Sequence, residues 1–232
     1  MAVPPLPTIL FEPLVRAALA EDLGRAGDIT TDAIVPPGAR LEAALAARQP
    51  GIVAGLDLAA LAFRLIDPSI ALTVERGDGS RVGPGDVIAL IAGPARGVLT
   101  AERVALNFLC HLSGVASATA AIVDSVRGHR ARITCTRKTM PGLRTLQKYA
   151  VRVGGGANHR FGLDDAVLLD NMSPDELRRA VAMVDGRAVT EASVRITPAT
   201  APAIAATGVD LISVGWLTHS AAVLDIGLDH RR

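Results

Sequence analysis

Aromatic residues supply only 3% of this 232-residue chain, although half of it is apolar. Its core must therefore be filled by Ala, Val, Leu and Ile, which suits α/β layers. A surplus of either charge is also missing: 24 Lys and Arg face 23 Asp and Glu, for a formal net charge of +1. That balance argues against a nucleic-acid-binding surface, which carries a strong basic excess. The only cysteines, Cys110 and Cys135, fall in a helical and a strand-like stretch and imply neither a disulfide framework nor a zinc site. The segment from Met1 to Leu23 has no basic start and no long apolar run, being interrupted by Glu12, Glu21 and Asp22. No signal peptide, transmembrane span or membrane partner is expected from it, and a cytoplasmic location is the default. No lysine precedes residue 138. That absence excludes a swinging-arm carrier, whose hairpin the run Gly83-Pro84-Gly85-Asp86 would otherwise suggest, because such a module needs an acceptor lysine.

Lysine is in fact confined to one place. The chain's two lysines, Lys138 and Lys148, both lie between residues 136 and 160, with Arg137, Arg144, Arg152, His159 and Arg160 around them. Arginine serves elsewhere, so lysine here has a chemical reason, and the window reads as an anion site. Arg132-Ile133-Thr134-Cys135 has the pattern of a short buried strand. Thr139 is placed to cap a helix with Pro141 in its first turn and an apolar face of Leu143, Leu146, Tyr149 or Ala150, and Val153, ending at Gly154. In parallel α/β structures the loop after a strand's carboxyl end is where ligands bind. Arg137 and Lys138 occupy that loop, and the next connection returns His159 and Arg160 nearby. Arginine grips a carboxylate with a planar fork, whereas lysine offers a point charge to phosphate.

Elsewhere, residues 9–23 fit a helix ending at Gly24, followed by a polar stretch from Gly27 to Asp32. Leu41 to Ala47, Ile52-Val53, Ile70 to Val74 and Val87 to Ile91 are strand candidates, with a helix from Leu56 to Leu65. Turns at Gly77-Asp78-Gly79-Ser80 and Gly83-Pro84-Gly85-Asp86 point to an antiparallel sheet. A long helix with many small residues is expected from Thr100 to about Val126. After it, strand patterns (Ile133 to Cys135, Ala166 to Leu169, Ala188 to Glu191, Leu211 to Val214) alternate with helical ones (after Pro141, Pro174 to Val184, Pro198 to Ala206). Repeated βα units indicate a parallel sheet or barrel. The expected domains are 1–108 and 109–232, the long helix joining them.

Several strings, in order along nearly the whole chain, resemble the quinolinate phosphoribosyltransferase family. They are Glu21-Asp22-Leu23-Gly24 with Gly27-Asp28-Ile29-Thr30-Thr31, Glu102-Arg103-Val104-Ala105-Leu106-Asn107, the central Thr136-Arg137-Lys138-Thr139 with Pro141-Gly142-Leu143-Arg144, Lys148-Tyr149-Ala150-Val151, and Asn158-His159-Arg160. Leu168-Leu169-Asp170-Asn171, Glu191-Ala192-Ser193, and Gly208 to Gly215 with Leu217-Thr218-His219-Ser220 continue the match. The resemblance implies an N-terminal α/β sandwich domain, an incomplete α/β barrel, and a C-terminal tail returning to the first domain. It implies a homodimer or higher homo-oligomer in which each sandwich domain helps close its partner's site. It also implies the substrates quinolinate and phosphoribosyl pyrophosphate with Mg²⁺, and the products nicotinate mononucleotide, pyrophosphate and CO₂. By the same resemblance, Lys138, Asp170 and Glu191 are catalytic, with Asp170 at the metal. Thr136, Arg137, His159, Arg160, Ser193 and Gly215 bind substrate, as does Arg103 from the partner subunit.

The chain departs from the family pattern in one large way. Gly162-Leu163-Asp164-Asp165-Ala166-Val167 runs directly into Leu168-Leu169-Asp170-Asn171, so about two βα units are absent, on the order of 50 residues. A lysine expected on the phosphoribosyl substrate and a glutamate expected at the metal go with them. Val194-Arg195 stands where the family has Gly-Gly, and Cys135 and Met140 stand where it usually has Asp and Thr. Two further readings therefore stay open: a non-catalytic paralogue that binds a dicarboxylate or pairs with an intact subunit, and the related molybdenum-utilisation branch.

Overall fold

A computed structural model of the chain describes residues 3–158, 167–193 and 195–230. They form two compact units, one of residues 1–114 with 223–232 and one of residues 115–222. The α/β class expected from the sequence holds in both. The division falls inside the long helix, where the sequence reading sets it near residue 108.

The first unit is built on an antiparallel sheet. Its strands are β1 (Arg40–Ala47), β3 (Ala71–Val74), β5 (Val87–Pro94) and β10 (Ile226–His230), in the order β10-β1-β5-β3. β1 is central, and its run Ala43 to Ala47 is buried throughout, which explains its small residues. The short strands β2 (Gly51–Ile52) and β4 (Arg81–Val82) form a separate ribbon. Helices α1 (Glu12–Leu23) and α3 (Leu56–Ile66) complete the layer, with Phe11, Val15, Leu58 and Phe63 in the core. β10 pairs along β1: Leu45 registers against Leu228, Arg48 pairs with Asp229, and just before the strand Leu224 N–H donates to Cys110 O.

Two local expectations change here. The polar stretch after Gly27 is helical as α2 (Ile29–Ile34), because Asp28 caps it by accepting from Thr31 N–H at 2.9 Å. The long helix α4 runs Ala95–Ser125 and begins directly after β5, five residues before Thr100. By length and composition α4 is apolar enough to cross a membrane, but 56% of that stretch is buried within the protein, as in a core helix.

The second unit has a four-stranded, all-parallel sheet of β6 (Arg132–Thr134), β7 (Val167–Asp170), β8 (Thr190–Ser193) and β9 (Leu211–Ser213), in the order β6-β9-β8-β7. Helices α5 (Arg144–Val153), α6 (Pro174–Val184), α7 (Ala201–Ala205) and α8 (Trp216–His219) alternate with the strands. Ile133, Leu169, Ala192 and Ile212 share one core with Ile122, Leu177, Ile204 and Leu217. Helix α5 begins at Arg144, not around Thr139 to Pro141, because Gly142 adopts φ 78° and turns the chain before the helix can start. Tight packing ties α5 to α4: a Cβ on Gly154 would lie 2.3 Å from Ala116 O.

Candidate active site

Alternation along the strands divides the parallel sheet into two faces. Ile133, Leu169, Ala192 and Ile212 turn toward the helices, so Thr134, Asp170, Glu191, Ser193 and Ser213 share the other face. That face is polar even where it is buried: Glu191 is 2% exposed, Ser213 3% and Thr134 1%. Thr134 Oγ1 has no hydrogen-bond partner among the described residues.

Because all four strands are parallel, their carboxyl ends lie on one side. Four sets of expected site residues meet at that side: Thr136, Arg137 and Lys138 after β6, Asp170 at the end of β7, Ser193 at the end of β8, and Gly215 after β9; Glu191, the second residue of β8, faces the same polar side further from the strand ends. Asp170 is in register with Ser193, and Asn171 N–H donates to Ser193 O at 2.8 Å, which fixes the two strand ends side by side. Arg103 belongs to the first unit, where it is exposed on α4. His159 and Arg160 lie outside the described residues.

The loop between β6 and α5 is held by its own polar atoms. Thr136 Oγ1 accepts from Lys138 N–H at 3.0 Å, Thr139 N–H donates to Arg137 O at 2.9 Å, and Gln147 Oε1 accepts from Met140 N–H at 3.0 Å. Arg144 Nε donates to Thr139 Oγ1 at 3.1 Å. Gln147 is fully buried, so the side chain that fixes the loop is itself fixed by packing. Arg137 and Lys138 are exposed, and neither has an ion-pair partner among the described residues. Lys148, by contrast, is 1% exposed, with Nζ 3.5 Å from Cys135 Sγ. The window that reads as one cationic cluster thus splits into an exposed pair, Arg137 and Lys138, and a buried lysine built into the core.

Space explains Gly215. Its backbone is helical, φ −70°, and needs no glycine, but a Cβ there would stand 3.1 Å from Lys138 Cδ, 3.5 Å from Thr136 Oγ1 and 3.6 Å from His219 Nε2. His219, absent from the expected site residues, thus stands beside Gly215, and the string Leu217-Thr218-His219-Ser220 was its signal. The opposite, amino-terminal end of the sheet is structural. There Asp210 accepts from Thr190 N–H at 2.9 Å and Thr190 Oγ1 at 2.8 Å and pairs with Arg130. Burial opposes the Asp210 charge, but these hydrogen bonds outweigh it and hold the carboxyl below its ordinary value.

Unpaired cations, carboxylates and a tight glycine turn at the carboxyl ends of parallel strands suit a substrate bearing both carboxylate and phosphate. Sequence comparison points the same way. Residues 28–113 match a sequence model of the quinolinate phosphoribosyl transferase N-terminal domain, and residues 115–169 and 164–229 match that of the C-terminal domain. The chain belongs to the quinolinate phosphoribosyltransferase family.

Among relatives in this family, the nicotinate-nucleotide pyrophosphorylase (carboxylating) of Mycobacterium leprae is 40% identical, covering 93% of this chain and 95% of its own. The probable enzyme of that name from Bacillus subtilis is 35% identical, covering 93% and 92%. The solved structure of nicotinate-nucleotide pyrophosphorylase from Francisella tularensis superposes with a TM-score of 0.92 at 31% identity, covering 100% of this chain and 99% of that one. The C-terminal model is matched in two pieces that meet at 164–169, where the sequence reading places the missing βα units. The Mycobacterium alignment accordingly spans 272 positions against the 232 residues present here.

Proposed function

We propose that this quinolinate phosphoribosyltransferase joins quinolinate to phosphoribosyl pyrophosphate, releasing pyrophosphate and CO₂ and giving nicotinate mononucleotide for NAD biosynthesis. The observation that carries this reading is the convergence of Arg137, Lys138, Asp170, Ser193 and Gly215 at the carboxyl ends of four neighbouring parallel strands, with Glu191 on the same polar face of the sheet. In the reaction, the pyridine nitrogen attacks the anomeric carbon as the bond to pyrophosphate breaks. The ring carboxylate adjacent to nitrogen then leaves as CO₂, and that carbon takes up a proton. The transition state carries positive charge on the sugar, so the protein's work is positioning and electrostatic stabilisation. Arg137 grips a quinolinate carboxylate, with His159 and Arg160 beside it, and Lys138 and Thr136 hold the phosphoribosyl phosphates. Glu191 faces the developing sugar charge, and Ser193 and Gly215 donate to the 5′-phosphate.

A Mg²⁺ ion fits a site of this kind. Among the described residues no group of three His, Cys, Asp or Glu forms a metal cage, and Mg²⁺ on a pyrophosphate needs only one or two protein carboxylates. Asp170, exposed at the end of β7, would hold it, and the ion would neutralise charge on the leaving group. We infer further that the enzyme works in the cytoplasm as a homodimer, with Arg103 entering the site of the partner subunit.

The test is nicotinate mononucleotide formation from both substrates and Mg²⁺, with Lys138→Ala alongside. Product that disappears in the variant supports the transferase. No product from folded wild-type protein refutes it and leaves the non-catalytic paralogue, which the missing lysine and glutamate favour.

A further inference from the structure

Lys138 is exposed, and an exposed lysine usually moves among many rotamers, so something must hold it if it is to meet a phosphate in one geometry. The loop's internal hydrogen bonds, from Thr136 to Thr139, fix its shape, and Gln147 anchors its far end to α5, but none of these sets the loop's place against the neighbouring strand β9. That place is set by the turn after β9. Thr218 Oγ1 lies 2.7 Å from Lys138 O and 3.1 Å from Gly215 O. Its single hydroxyl proton can serve either carbonyl, and both carbonyls belong to segments of the proposed phosphate site. Thr218 is 1% exposed. Its hydroxyl cannot turn to solvent, so its proton stays between these two carbonyls rather than exchanging with water, and the shorter approach favours Lys138 O.

The same turn also sets the side chain. The tight fit of Lys138 Cδ over Gly215 leaves the lysine lying across the glycine, while its backbone is tethered three residues further on. Two contacts, one polar and one steric, thus join two loops that come from adjacent strands, β6 and β9. A third bond, from Trp216 Nε1 to Ile196 O at 2.7 Å, ties the turn to the loop after β8.

We propose that Thr218 is a positioning residue: its buried hydroxyl registers the Arg137-Lys138 loop against the Gly215 turn, so that one rigid mount presents Lys138 to the phosphate-bearing substrate. The proposal rests on the transferase reading, and its readout separates the two. Thr218→Val keeps the volume and removes the hydroxyl, Thr218→Ala removes the hydroxyl without overpacking, and Thr218→Ser restores it. The measurements are calorimetric titrations with phosphoribosyl pyrophosphate and with quinolinate, initial rates, and melting temperatures.

A displacement of the loop by about 1 Å is expected to lower kcat/KM for phosphoribosyl pyrophosphate about 10- to 100-fold. Its affinity should weaken in Thr218→Val and Thr218→Ala and recover in Thr218→Ser, with a smaller loss for quinolinate, felt through Arg137 on the same loop. Should Thr218→Val fold poorly, the alanine and serine variants carry the comparison. Unchanged phosphoribosyl pyrophosphate affinity in Thr218→Ala overturns the proposal. So does an equal loss of both ligands together with a lower melting temperature, the mark of a merely structural role. Wild-type protein that binds phosphoribosyl pyrophosphate without forming product refutes the transferase alone, and the affinity comparison then decides the role of Thr218. Wild-type protein that binds neither ligand refutes both.

Discussion

Replacing Gly154 by alanine should damage the second unit more than any other single methyl added to its glycine run. Gly154 has φ −73° and ψ 4°, which alanine adopts freely, so the penalty is purely one of space. The new Cβ would stand 2.3 Å from Ala116 O and 2.8 Å from Thr119 Cβ, whereas ordinary contact begins at 3.4 Å. Helices α4 and α5 would have to part by roughly 1 Å, losing dispersion contacts along their interface. Overpacking a core costs about 1 to 3 kcal/mol. The obstacle is a helix backbone carbonyl with no rotamer to escape into, so we expect the upper end, about 3 kcal/mol, or a fall in melting temperature of about 6 to 12 °C. Gly155→Ala is the control. Its Cβ would meet only Val123 Cγ1 at 3.5 Å, but φ is +87°, so it should lose the smaller cost of left-handed backbone, about 1 to 2 kcal/mol. Trp216, the only tryptophan, lies in the same unit and reports its unfolding in urea by fluorescence. A Gly154→Ala protein as stable as wild type, or one more stable than Gly155→Ala, would show that the helices are not held at this distance.

Removing the guanidinium in Arg137→Ala should cost about 1.5 to 3 kcal/mol of quinolinate binding, the range for a hydrogen bond to a charged group; unchanged calorimetric affinity would remove Arg137 from the carboxylate site. Asp210 predicts an acid dependence. Its carboxyl is held below the ordinary value in the folded state, so its stabilising contribution is full above the unfolded value near 4 and is lost as pH falls through the native one. With its side chain 29% exposed, that contribution is about 1 to 2 kcal/mol after solvent screening. Asp210→Ala should therefore be less stable than wild type at neutral pH and converge with it in acid; parallel stability curves down to pH 2 would contradict the assignment.

Where the sequence was legible, local chemistry and tertiary packing agreed. Helix α6 begins where Ser173 and Glu176 complete a capping box with Pro174 in the first turn, so its span was readable to the residue. The ends of β7 and β9 were readable to within one residue because short apolar runs stop there at polar or glycine residues, whereas β8 runs Thr190–Ser193, two residues beyond the expected Ala188 to Glu191, because its Thr-Glu-Ala-Ser carries no apolar run. Helix α2 was hidden because its six residues carry too little apolar pattern, and only the cap at Asp28 marks it. The start of α4 was hidden by Pro94 and Gly97, which usually argue against a helix. Gly97 is needed there because a Cβ would lie 3.1 Å from Ile70 Cδ1 and 3.2 Å from Asp67 Cβ. The two roles of lysine could not be separated by sequence, since burial of Lys148 and exposure of Lys138 depend on which side of the β6–α5 loop each occupies. The contact of Thr218 was equally invisible, because its partner Lys138 lies eighty positions earlier.

The order β6-β9-β8-β7 gives the internal gap an architectural meaning. The missing stretch falls between β6 and β7 in the chain, and among the described strands these two stand at opposite ends of the hydrogen-bonded row. Among the described strands, β9 lies between β6 and β8, β8 lies between β9 and β7, and the connections from β7 through β8 to β9 lie outside the gap. The shorter chain thus keeps the carboxyl ends of all four described strands on one side of the sheet.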